Sequence, residues 1–170
     1  MSANHLTHIR GRFWQMLFTE WAAALLAPAR SPEGRFHYNG QAALYLSETP
    51  KGCFIASKRY MTERDPDRAI YPLFVTSNKI IDLRDPAACA YYKIDTTHRA
   101  AQWQDIRATS ARSPTWDLSD KVRKSGIDGI LYASRTQPKL THLTLFSWNS
   151  SDGTTVKPDG EPQTLQNGTK

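Results

Sequence analysis

At 170 residues, with 39% apolar and 11% aromatic side chains, the chain is long enough to bury one substantial core and too apolar to be wholly disordered. Its formal net charge of +6 favours an anionic partner. Lys and Arg are scattered rather than blocked, so nucleic-acid binding weighs less than a nucleotide or an acidic protein. Two cysteines outside any CxxC and five dispersed histidines give no metal-site spacing, and read as buried thiols in a reducing compartment.

In chain order, residues 1–11 are polar and expected to be loose. Between 13 and 27 an apolar stretch follows Arg10 and Arg12, the flank of a signal peptide, but Gln15 and Glu20 interrupt it. Trp14, Leu17, Phe18, Trp21 and Leu25 fall at helical spacing, which predicts an amphipathic helix on the core, ended by Pro28 and Pro32. No apolar run is long enough to span a membrane. Next comes a loop holding the turn pair Asn39-Gly40, then a buried strand over 42–46, stopped at Thr49-Pro50. A short helix is expected over 52–60 and a charged loop around Asp65-Pro66. Residues 70–76 read as a strand whose Pro72 implies an edge or a bulge, and 79–83 as another strand. Two weak helices follow, near 85–92 and 98–106. Ser113-Pro114 is a helix start, with Leu118 and Val122 on one face and Gly126 as the stop. Residues 129–133 form a buried strand ending in Ser134-Arg135, and 140–148 alternate as a half-exposed one. From Asn149 the composition turns polar and predicts a tail without core. The expected fold is α+β, a mostly antiparallel mixed sheet with flanking helices, over residues 11–148, with a flexible polar tail over 149–170.

Four side chains could carry chemistry. Arg35 has a planar fork that can grip a diphosphate, yet taken singly it reads as a solvated loop arginine. Tyr45 reads as a core tyrosine, Ser134 as a strand terminator and His37 as a loop histidine. No GxGxxG phosphate loop and no GxSxG elbow is present.

The set is more specific than its members. Gly34-Arg35-Phe36-His37, Asn39-Gly40, Ala43-Leu44-Tyr45-Leu46-Ser47 and the distant run from Asp128 to Arg135 resemble the RES-domain family in order and separation. That family takes its name from an arginine, a glutamate and a serine, and the resemblance spans about 11–148. It implies an ADP-ribosyltransferase-like fold and a cytoplasmic toxin of a bacterial toxin–antitoxin pair that consumes NAD+ without a metal. It also implies a neutralising antitoxin, of helix-turn-helix type, through which alone nucleic acid would be met. By residue, Arg35 matches the family arginine, Tyr45 the site tyrosine and Ser134 the family serine, with His37 beside them in the dinucleotide site. Two positions depart from the pattern. Ala56 stands where most relatives carry the glutamate, leaving Glu48, and less readily Glu63, as the nearest carboxylates; Gln15 stands where relatives often carry arginine. A RES-like module that binds a nucleotide or protein without turnover is therefore the alternative, and a nucleic-acid-directed toxin rests on charge alone.

Overall fold

Thr7–Phe18 is one extended strand, β1, in a computed structural model that describes residues 5–165. The helix predicted over this stretch does not form; only Thr19–Ala24 coils, as a 3-10 segment. The burial alternates with period two over most of its length: Ile9, Phe13 and Gln15 are buried, whereas His8, Arg10 and Arg12 are exposed and Trp14 is half covered. Aromatic residues on both faces mimic helical spacing, but β-prone residues with a long partner strand favour the ladder. Residues 7–11, expected loose, belong to it, and Ile9 is 7% exposed. Residues 1–4 and 166–170, to which that reading and the tail reading also extend, lie outside the described residues.

The partner is β3, Arg68–Asp82, which pairs antiparallel with β1 from Thr7↔Ile80 to Phe18↔Arg68. The two strands predicted at 70–76 and 79–83 are thus one. Pro72 is not on an edge, since β3 is paired on both sides. Its carbonyl accepts from the Asp159 N–H at 2.9 Å, in the gap between the residues paired with Thr155–Pro158 and those paired with Gln163–Leu165, where a missing donor breaks no ladder bond.

Between these strands lie β2, Leu44–Ser47, and helix α1, Pro50–Ser57. Thr49 caps α1 by accepting from the Gly52 N–H at 3.0 Å, and Pro50 occupies its first turn, so the helix begins slightly before the expected position. Helices α2, Pro86–Tyr91, and α3, Trp103–Ala108, follow β3. Helix α4, Pro114–Lys124, has the expected Ser113 cap, and Gly126, at φ +74°, follows its end. Strand β4 is Gly129–Ala133 and β5 is Thr141–Leu145.

The sheet closes on itself. β1 meets β2 at Trp14↔Ser47, β2 pairs β5, β5 pairs β4, β4 runs parallel to β3, and β3 returns to β1. The result is α+β, a barrel-like mixed sheet, mostly antiparallel, with helices outside it. Leu44, Leu46, Leu73, Val75, Leu143 and Leu145 pack in one core. The other face of β4 and β5 makes a second core with Ala88, Leu118 and Val122 from α2 and α4. His142 and Thr144, beside Ser47 and Tyr132, are buried at 6% and 0% exposure, so β5 is not half-exposed as its alternation suggests.

The polar C-terminal stretch also contributes core. Thr155–Pro158 (β6) and Gln163–Leu165 (β7) pair with β3, and Val156 is 3% exposed. Thr154 donates to the buried Asp128 carboxylate through its N–H at 3.1 Å and its hydroxyl at 2.9 Å. One inward valine in a polar run is too little pattern to read as a strand.

Candidate functional site

The loop before β2 is held from several directions. Gly34 donates to the His37 carbonyl at 2.9 Å, and its own carbonyl accepts from the Trp116 indole at 2.8 Å. The Arg35 carbonyl accepts from the Thr115 hydroxyl, and the Phe36 N–H donates to the Tyr45 hydroxyl at 3.0 Å. Glu33 takes a two-pronged ion pair from Arg107 at 2.9 and 3.0 Å. A Cβ at Gly34 would lie 2.3 Å from the His37 ring and 2.7 Å from the Tyr45 hydroxyl, so no other residue fits there.

What this framing presents is the Arg35 side chain. Its guanidinium lies over the rings of Phe36 (4.9 Å) and Tyr132 (5.0 Å), and one terminal nitrogen donates to the Arg99 carbonyl. Its Nε is buried without a hydrogen-bond partner among the described residues. Burial lowers its pKa. Beside it opens a cleft of about 190 Å³ that Tyr132, Ser134 and the arginines 35, 84, 99 and 135 help to line. None of the lining side chains is a carboxylate. Arg84 is held by Asp82 at 2.8 and 2.9 Å, whereas Arg35, Arg99 and Arg135 carry no ion pair among the described residues. The chain topology creates this cluster. β3 and β4 run parallel and end together, so Arg84 and Ser134-Arg135 leave the sheet side by side, where ligands of parallel strands usually sit.

The RES domain matches residues 5–166 of the chain. The chain belongs to the RES-domain family. A chain of the crystal structure of the M. tuberculosis MbcT–MbcA toxin–antitoxin complex shares its fold, with a TM-score of 0.57 and 12% identity over 94% of this chain and 86% of that one. No curated protein matches it.

In this RES domain the cleft brings Arg35 and Ser134 together. Ser134 is 4% exposed and accepts from the Gln137 N–H at 3.3 Å. Tyr45 and His37 brace the loop instead. The His37 Nε2–H donates to the Ser31 carbonyl at 2.8 Å, leaving Nδ1 to accept the Tyr45 hydroxyl at 2.7 Å. Both ring nitrogens are used, and burial lowers the His37 pKa and raises that of Tyr45. Glu48 is exposed just past β2, its N–H on the Thr141 carbonyl at 3.0 Å and its charge reaching Arg84. Ala56 is exposed on α1. Gln15 is 8% exposed on β1, with Oε1 unpartnered among the described residues.

Sequence reading missed Arg84, Arg99 and His142. Two apolar runs each ending in arginine, at 80–84 and 130–135, are a signal for Arg84 once the two strands are taken as parallel neighbours. His142 sits between Ser47 and Tyr132 in the ladder. Its Nδ1 lies 2.7 Å from the Ser47 hydroxyl, and burial, then the Arg35 charge, lower its pKa to about 4. Among the described residues no group of three or more His, Cys, Asp or Glu side chains could hold a metal, and no helix is long and apolar enough to cross a membrane.

Proposed function

We propose that this RES domain is the toxin of a toxin–antitoxin pair and consumes NAD+ by breaking the nicotinamide–ribose bond, on a fold of ADP-ribosyltransferase type. The observation that carries the reading is the cleft: four guanidiniums and a buried serine gather at the ends of two parallel strands, with no lining carboxylate. Such a site favours a phosphate-bearing ligand.

Arg35 grips the pyrophosphate with its fork. Ser134 hydrogen-bonds the nicotinamide ribose or amide and fixes its orientation. Tyr45, its hydroxyl committed to the loop, offers its half-buried ring to the nicotinamide or ribose, and His37 keeps that tyrosine in place. As nicotinamide departs with the bonding electrons, positive charge grows on the ribose carbon, as in glycoside cleavage. Glu48, just past β2 and close enough for its charge to act on Arg84, is the carboxylate that steadies it. Water, phosphate or a protein side chain then takes the ribosyl carbon. The toxin reading draws on family membership and on the fold shared with a chain of a toxin–antitoxin complex. The partner is an antitoxin of helix-turn-helix type in the cytoplasm, and nucleic acid is reached only through it.

Ala56 and the absence of a lining carboxylate favour a second reading, a module that binds the nucleotide without turning it over. Incubating purified protein with NAD+ and measuring free nicotinamide separates the two. Release supports the enzyme; NAD+ that binds and remains intact supports the module.

A further inference from the structure

Two histidines are buried in this fold, and they are spent differently. His37 is 1% exposed and uses both ring nitrogens, on Ser31 and Tyr45. His142 is 6% exposed and uses one, Nδ1, on the Ser47 hydroxyl at 2.7 Å. Its Nε2 has no hydrogen-bond partner among the described residues. A neutral imidazole carries one N–H and one lone pair, so whichever Ser47 engages, the other falls to Nε2. A brace for Ser47 needs only Nδ1, and Nε2, which is not fully enclosed, is left open to solvent or to a ligand.

Its surroundings indicate what could meet it. Ser47, His142 and Tyr132 are direct neighbours across β2, β5 and β4, and cross-strand neighbours share a face of the sheet. This polar row runs to Arg35: the His142 ring is 5.6 Å from that of Tyr132, and the Arg35 guanidinium lies over the same ring at 5.0 Å. Arg35 Nε is buried and unpartnered among the described residues. Tyr132 and Arg35 line the cleft, and His142 packs against Tyr132 next to it without lining it, so a ligand longer than the cleft would meet Nε2 just beyond Tyr132. With its pKa at about 4, His142 is neutral at physiological pH and offers a hydrogen bond without further charge.

We propose that His142 contacts the substrate directly, its Nε2 hydrogen-bonding a ribose hydroxyl of the dinucleotide held by Arg35. A hydroxyl both donates and accepts, so it suits either tautomer. The inference rests on the function proposed above.

Two substitutions separate substrate contact from bracing. Asparagine places its amide near Nδ1 and keeps the Ser47 bond; glutamine places it near Nε2. With melting temperatures near wild type, His142→Asn should lower nicotinamide release by about tenfold, the effect of one hydrogen bond, while His142→Gln retains most of it. The opposite order, or full activity in both variants, overturns the contact. Equal loss in both is decided by imidazole nitrogen NMR of the wild-type protein with ADP-ribose: a changed Nε2 resonance supports the contact, and an unchanged one overturns it. Wild-type protein that releases no nicotinamide would defeat the function proposed above, while the Nε2 resonance still reads the contact independently.

Discussion

In the proposed function Arg35 is the central binding residue, and its surroundings separate that role from folding. Its backbone carbonyl is tied to Thr115, while its guanidinium faces the cleft and has no carboxylate partner among the described residues. Arg35→Lys keeps the charge and loses the paired donors. A hydrogen bond to a charged group contributes roughly 1.5–3 kcal/mol, so NAD+ affinity should fall about tenfold to a hundredfold with the melting temperature unchanged. Arg35→Ala should bind more weakly still. Calorimetric titration on both variants checks this; wild-type affinity in Arg35→Lys would remove the pyrophosphate role. The buried histidines make a second prediction. Both are held below the ordinary imidazole pKa, so below about pH 6.5 the unfolded chain binds more protons than the folded one. Stability is therefore full above that value and declines as pH falls toward the folded pKa of His142, about 4. His142 costs up to about 1.4 kcal/mol per pH unit in this window, and His37 adds to the loss in the same direction. Urea unfolding at pH 7 and pH 5 should show the loss, and His142→Asn should reduce it; an identical pH slope in the variant would contradict the assignment.

At the scale of elements, the closing ladder sets the stability. Removing residues 1–11 takes away the first part of β1 with Ile9, whose burial is worth roughly 1.5–3 kcal/mol. The truncated protein should melt several degrees lower; an unchanged melting temperature would make that part of the strand an appendage. Ending the chain at residue 153 removes Val156 and both Thr154 bonds to the buried Asp128 carboxylate. Thermal unfolding should again shift down, and equal stability would mean that β6 is dispensable. The elements legible in the sequence carry their own punctuation: Ser113-Pro114 and Gly126 bound α4, and β4 is an unbroken apolar run. The elements misread depend on distant partners. Trp14, Leu17 and Trp21 have helical spacing, yet pairing with Pro72 and Ala69 of a distant strand holds the first two extended. Val156 gives no signal until β3 is there to receive it. The site divides likewise: Arg35 and Ser134 stand in short family patterns, whereas Arg84, Arg99 and His142 join them through strand pairing and loop placement.

For the whole molecule, the net charge of +6 and the arginine-lined cleft suit both an anionic dinucleotide and an acidic partner surface. An antitoxin that covers the cleft would block access without altering the fold, so growth arrest and NAD+ loss should rise and fall together. The most direct measurement is cellular NAD+ after induction of the chain in bacteria that lack its partner. NAD+ should fall before growth stops, and Arg35→Ala should prevent both. Growth arrest with normal NAD+ would contradict the account and direct attention to another target, such as nucleic acid.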